Sequence, residues 1–215
     1  MKRFLTLLFL SLVALVAVGC DLDKDNDKDD KFTATAIKTV LQDANNNDEI
    51  SIEGVVFGVV NNGFYVADAN DSSIFVLTGT ASSVEVVVGD KVQVTGQFNV
   101  ANNFPQVRNV TIEVVDSGLT SPIEVTDGTV ADIAGLDSTD RVNSYARIYR
   151  IDAMLGQNVA RMYTLSDDQG RRIIVSPSSN VSLLEQHLDK QVTITVIVHN
   201  YLVGEGAWNV SFAGG

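Results

Sequence analysis

Cysteine, histidine and proline are nearly missing from this chain: its 215 residues hold one Cys, two His and three Pro. A single cysteine, Cys20, excludes an internal disulfide and a cysteine-built zinc site. His187 and His199 leave little for metal or triad chemistry, and no phosphate-binding Gly-Lys-Ser/Thr loop, GxSxG elbow or HExxH pair occurs. Positive charge is scarce too, with 15 Lys and Arg against 27 Asp and Glu, a net charge of −12. Such a surface does not suit a protein that coats nucleic acid by displacing counterions. The expectation is a non-enzyme with no metal and no cofactor.

What is present begins with an address. Met1-Lys2-Arg3 is a basic start, and Phe4 to Val18 is an unbroken run without charge. As a helix that run covers about 22 Å, short of the roughly 30 Å of a bilayer core, so residues 1–19 read as a secretory signal. It ends Ala17-Val18-Gly19-Cys20, which resembles a bacterial lipobox and implies a lipid on Cys20. Residues 21–31, DLDKDNDKDDK, carry six Asp and three Lys and too little apolar surface to fold. They read as a solvated tether at the outer face of a bacterial membrane.

The rest reads as two copies of one small β-unit, over 32–118 and 119–215. The first opens at Thr35 as the cap of a short helix with Ile37, Val40 and Leu41 on one side. Then come the alternating ISIEGVVFGVV, an Asn61-Asn62-Gly63 turn, FYVAD, SIFVL, and VEVVVGDKVQVTGQF read as two strands broken at Gly89-Asp90. A last strand runs from Gln106 to Val115. The second copy repeats the order: Thr129 opens its helix, NSYARIYRID matches the first strand, RMYTLSDDQG matches GFYVADANDS with Tyr163 over Tyr65, and RRIIV matches SSIFV. LDKQVTITVIV matches GDKVQVTGQF with one residue inserted, Leu188 replacing Gly89 and Val196 replacing Gly96. Short strands at regular turn spacing indicate an all-β barrel or sandwich.

The residues Ile52-Glu53-Gly54-Val55-Val56, Gly63-Phe64-Tyr65-Val66-Ala67-Asp68 and Gly89-Asp90-Lys91-Val92-Gln93-Val94-Thr95-Gly96 resemble the OB-fold repeats of secreted and lipid-anchored bacterial proteins, including those beside YhcR-type extracellular nucleases. The resemblance implies two tandem five-stranded OB-like barrels, each preceded by a short helix, with a binding surface on strands 2 and 3. It implies binding, of single-stranded nucleic acid or oligosaccharide, and no nuclease domain remains in the chain.

Strand alternation assigns faces. With Ile52, Val56, Phe64, Val66, Ile74 and Val76 inside the first barrel, Phe57, Tyr65 and Phe75 point outward with Val55 and Val59. The matching places in the second copy are Tyr149, Tyr163 and Ile174, interleaved with Arg147, Arg161 and Arg172. Such a face suits stacking on bases or sugars. The other reading is that the outward aromatics are covered by a helix or by the other repeat, or that a bulge at Gly58 flips the alternation. Asp43 to Ile50 starts like a calcium loop but lacks its Gly and closing Glu, so it reads as a turn. Asp167-Asp168-Gln169-Gly170 is a hairpin tip. Two functions stay open: a ligand-binding module, or an accessory subunit that docks a protein partner at the envelope.

Overall fold

A computed structural model describes residues 32–79, 84–158, 162–176 and 181–213. Cys20, the acidic 21–31 stretch and Arg161 fall outside these residues. In the first segment α1 (Ile37–Asp43) is followed by β1 (Glu49–Val60), β2 (Gly63–Ala67), β3 (Ser73–Leu77), β4 (Lys91–Ala101) and β5 (Phe104–Asp116). These five strands close in the order β1-β2-β3-β5-β4, with β3 and β5 parallel and the other neighbours antiparallel. The six residues assigned to the interior are all buried in its core, joined by Ile37, Val40 and Leu41 of α1. A register shift between Val56 and Gly58 marks the bulge. It leaves Phe57 outward without reversing the faces of β2 and β3.

The second segment contains β6 (Thr126–Gly128), α2 (Val130–Ala134), β7 (Ile148–Gln157), β8 (Tyr163–Ser166), β9 (Arg172–Ser176), α3 (Val181–Gln186), β10 (Lys190–Leu202) and β11 (Ala207–Phe212). Because β10 pairs with both β11 and β7, the ring β7-β8-β9-β11-β10 closes with the topology of the first. The parallel pair recurs as β9–β11. The protein is therefore all-β with two tandem OB-like barrels.

Three local expectations are corrected. Residues 84–88, read as a strand, form no ladder. Five strands already close the barrel, and the Asp90 carboxylate takes the Val87 N–H instead, at 2.9 Å. Thr35 is not the cap of α1. Ala36 stands there without a side-chain bond, and the Asp68 carboxylate accepts from Ile37 N–H at 2.8 Å. By contrast Thr129 caps α2 in a full capping box with Asp132. The place of Gly89 (φ 94°) is taken by Asp189 (φ 59°) rather than Leu188, since Gly89 N–H donates to Val56 and Asp189 N–H to Leu155 at equivalent points of β1 and β7. Aspartate tolerates this left-handed turn at modest cost. The Asp43–Ile50 stretch is a turn, with the Asp48 carboxylate accepting from Asn45 N–H at 2.7 Å.

Candidate functional site

Phe57, Tyr65 and Phe75 do point out of the first barrel, and all three are buried. The cover is the outer face of β10 and β11, which presents Ile197, His199 and Ser211. The Tyr65 hydroxyl lies 2.6 Å from His199 Nδ1 and 3.0 Å from Ser211 Oγ. His199 stands among three rings of the first barrel, with centroids 5.9 Å from Tyr65, 5.0 Å from Phe75 and 4.3 Å from Phe104. The ring contacts continue through Tyr145 to Trp208. At Gly58 the barrels come so close that a Cβ would overlap Ile197 Cδ1. Ser73 Oγ donates to the Ala146 carbonyl at 2.8 Å. Burial pushes the Tyr65 hydroxyl well above its ordinary pKa and pulls His199 down to about 4. Each buried aromatic removes roughly 150–250 Å² from water, worth several kcal/mol apiece at about 25 cal/mol per Å². The outward aromatics of the first barrel are thus covered by the other repeat, the alternative to a ligand face, and form the floor of the junction. The three aromatics are not accessible to a ligand.

The second-barrel candidates do not assemble into one face either. Tyr163 and Leu165 share the inward side of β8, and Thr164 points out. The reason is a one-residue slip in the repeat match: Asp68 N–H closes its turn on Ser72, and Asp167 N–H closes the corresponding turn on Arg171. Tyr163 thus stands over Phe64, and Tyr65 over Thr164. A slip of one residue exchanges the faces of a strand. Tyr149 is half-buried and packs over Gly128, where a Cβ would lie 2.9 Å from its ring. Arg147 is spent on the junction, donating to the Asp71 carbonyl at 3.0 Å, the Asp71 carboxylate at 3.3 Å and the Val142 carbonyl at 3.4 Å. Arg172 is exposed, 3.9 Å from Glu205. Arg161 lies outside the described residues.

What the two barrels do build together is a cleft of about 350 Å³ lined by Asn102, Asn200, Tyr201, Leu202, Val203, Gly204 and Glu205. One wall is the tight β4–β5 turn, where Asn102 (φ 51°) and Asn103 (φ 66°) both take the left-handed form that a two-residue hairpin requires. The other is the longer β10–β11 hairpin, displaced by a bulge between Val198 and Asn200. Asn200 is held from behind: its Oδ1 accepts from Asn209 Nδ2 at 2.9 Å, and Asn209 Oδ1 accepts from Ser176 Oγ at 2.9 Å. Tyr201 sits edge-on to Trp208 at 5.5 Å. The Tyr201 hydroxyl and the Asn102 amide have no hydrogen-bond partner among the described residues. With Glu205 in its lining and Arg172 3.9 Å from that carboxylate, the cleft offers two amides, the phenol ring of Tyr201 and one loose ion pair. Sequence reasoning passed over all of these except Arg172.

Elsewhere, the Asp167 carboxylate is committed to its own turn, taking Arg171 Nε at 2.6 Å and the Gln169 and Arg171 N–H groups. Among the described residues no group of His, Cys, Asp and Glu suits a metal ion.

No family model matches the chain, and no curated protein matches it. Among solved structures it is similar to the crystal structure of a HINb domain, at 10% identity and TM-score 0.41, over 78% of this chain and 95% of that one. It is also similar to a HINa domain in complex with 20 bp double-stranded DNA, at 8% identity and TM-score 0.39, over 77% and 92%. A replication protein A heterotrimer bound to single-stranded DNA matches at 10% identity and TM-score 0.34, over 79% of this chain and 48% of that one.

Proposed function

We propose that this protein is a lipid-anchored, extracytoplasmic, non-catalytic binding protein whose two barrels act as one body and hold a neutral oligosaccharide between their hairpins. The signal-like start, the lone Cys20 and the acidic 21–31 stretch support the anchor. The cleft carries the ligand reading. Its Asn102 amide and Tyr201 hydroxyl are uncommitted, its Asn200 is pre-positioned, and its charge is one loose ion pair. Hydroxyl-rich sugars match such a set of donors and acceptors, and the aromatic ring adds a stacking edge. A single-stranded nucleic acid fits it poorly. The aromatic platforms such ligands use are buried or turned inward here, and the chain has 27 acidic residues to repel phosphates.

The test is a titration of the whole chain in detergent micelles with an oligosaccharide panel and a short labelled oligonucleotide, at low and moderate salt. Asn102→Ala/Asn200→Ala and Arg147→Ala/Arg161→Ala/Arg172→Ala variants run beside it. Salt-tolerant sugar binding that the asparagine variant loses supports the reading. Salt-sensitive oligonucleotide binding that only the arginine variant loses overturns it in favour of nucleic acid.

The second reading is docking of an envelope protein, and one observation favours it. Val87, Val88, Val115 and Leu119 are exposed on two neighbouring segments of the first barrel, joined where Leu119 N–H donates to the Gly89 carbonyl at 2.9 Å. A partner bound by the wild type and lost with Val87→Asp/Val88→Asp supports it; a partner retained by that variant removes it.

A further inference from the structure

Behind the cleft, the side chain of Asn209 is buried between β9 and β10. Its Oδ1 has no hydrogen to give, so the Ser176 hydroxyl donates to it at 2.9 Å. That contact sets which way the Asn209 amide faces. Its Nδ2 then donates to Asn200 Oδ1 at 2.9 Å, which engages the oxygen of Asn200 and leaves Nδ2 as its free group. Among the described residues nothing accepts from this Nδ2. Asn200 therefore meets a ligand as a donor.

Apolar surface lies beside that donor. Leu202 and Val203 follow in the same hairpin and line the same cleft, and Val203 is 72% exposed, more than any other large apolar side chain among the described residues. The facing wall brings Asn102, whose amide carries an acceptor oxygen. We propose that the cleft selects an N-acetylated amino sugar, with Asn200 Nδ2 donating to the acetamido carbonyl and Val203 covering its methyl group. This selection rests on the oligosaccharide reading above and narrows it.

The chemistry of the substituent decides the choice. A sugar hydroxyl both donates and accepts, so it gains nothing particular from a donor-only amide, and it leaves Val203 in water. An acetamido group joins an acceptor oxygen, an N–H and a methyl. Asn200, Asn102 and Val203 answer these three within one cleft of about 350 Å³. That volume is at the small end for ligand sites, so one ring and its substituent fill it. A free amine at the same position would be a cation. The cleft does not call for one, because Arg172 stands 3.9 Å from the Glu205 carboxylate and offsets its charge.

The whole chain, in micelles of a zwitterionic detergent without a sugar headgroup, is titrated calorimetrically with three oligosaccharides equal in length and linkage. They are built of N-acetylglucosamine, glucose and glucosamine. The N-acetylated oligomer is expected to bind about 10-fold more tightly than either of the others, as one hydrogen bond and one buried methyl would give. Asn200→Asp keeps an oxygen for Asn209 and puts a second oxygen in place of Nδ2, and in it the preference is expected to vanish. Val203→Ser, at an exposed hairpin tip, is expected to reduce the preference about 3-fold. Equal binding of the N-acetylated and glucose oligomers, or a preference for glucose, overturns the selection and spares the oligosaccharide reading. Tightest binding of the glucosamine oligomer overturns it as well and makes Glu205 the selecting group. A preference that survives Asn200→Asp overturns the assignment to Asn200; should that variant fail to fold, the three wild-type affinities and Val203→Ser still decide. If no sugar binds at all, the oligosaccharide reading falls and the selection falls with it.

Discussion

In the first barrel, Ile52, Val56, Phe64, Val66, Ile74, Val76, Phe98 and Val107 form a core that α1 seals, separate from the junction. In the second, Ile151, Leu155, Tyr163, Leu165, Ile173, Val175, Val196 and Val210 belong to one continuous apolar cluster with Phe57, Tyr65, Phe75 and Phe104 of its neighbour. Two copies of one topology thus end their cores in different places. The first is complete by itself, and the second finishes its packing against the first. The outward aromatics of the first barrel are the support of the second.

The sharpest way to break this comparison uses two phenylalanines on adjacent strands. Phe64→Ala empties the first barrel and Phe75→Ala empties the junction, each at a cost of about 3–5 kcal/mol. The patterns should differ. With Phe64→Ala, hydrogen exchange accelerates in β1–β5 and carries the second barrel with it. With Phe75→Ala, it accelerates in β7–β11 while β1–β5 keep their protection. Equal acceleration of both barrels by Phe75→Ala would show that they fold as one core.

Next in size is a glycine that only one copy requires. Val55 faces Ala67 and Met154 faces Ser166, so Gly54 and Ala153 hold equivalent places. A Cβ at Gly54 would overlap the Ala67 carbonyl, whereas Ala153 carries its Cβ in the buried core. Gly54→Ala is expected to cost about 1–3 kcal/mol by overpacking. Ala153→Gly should cost only about 0.5–1 kcal/mol, mainly through the freer unfolded chain. Thermal melts of both variants check the asymmetry, and equal losses would mean that the strand spacing of the barrels is the same.

The helix caps sharpen the same contrast. Asp68 is buried and serves the N–H groups of Ile37, Asn70 and Ser72, at 2.8, 2.9 and 3.2 Å. Asp68→Ala strands these donors, a loss of about 1–3 kcal/mol. Thr129→Ala removes an exposed local cap and should cost about 1 kcal/mol. Urea denaturation ranks the two; a larger loss at Thr129 would contradict the view that the first barrel binds its helix by tertiary contacts.

Legibility followed the range of the interactions. The tandem β-units, the interior of the first barrel and the Asn61-Asn62 hairpin could be read directly, because alternation and turn chemistry are local signals. The capping role of Asp68 could not, since it lies 31 residues from the helix it serves. Tyr163 was misplaced for a related reason. Matching Tyr to Tyr is attractive in sequence, but the turn at Asp167 sets the register and turns that ring inward. β6 and α3 were missed because three and six residues carry too little periodicity to register. The cleft was invisible for the deepest reason: Asn102 and Asn200 meet only after two barrels dock.

The smallest expected effect concerns what holds that docking. Arg147 reaches Asp71 across the junction, which invites the view that a charged clamp joins the barrels. Yet the Asp71 side chain is 61% exposed, so water and salt screen the pair and the entropy of fixing both side chains offsets much of its attraction. Arg147→Ala should therefore lower stability by less than about 1 kcal/mol, with little dependence on salt between 50 mM and 500 mM in matched melts. The rings of Tyr65, Phe75, Phe104 and His199 are predicted to carry the junction without it. A loss near that of Phe75→Ala, fading at high salt, would reverse the assignment. The barrels would then be joined by charge, and the aromatic floor would be free to open toward a ligand.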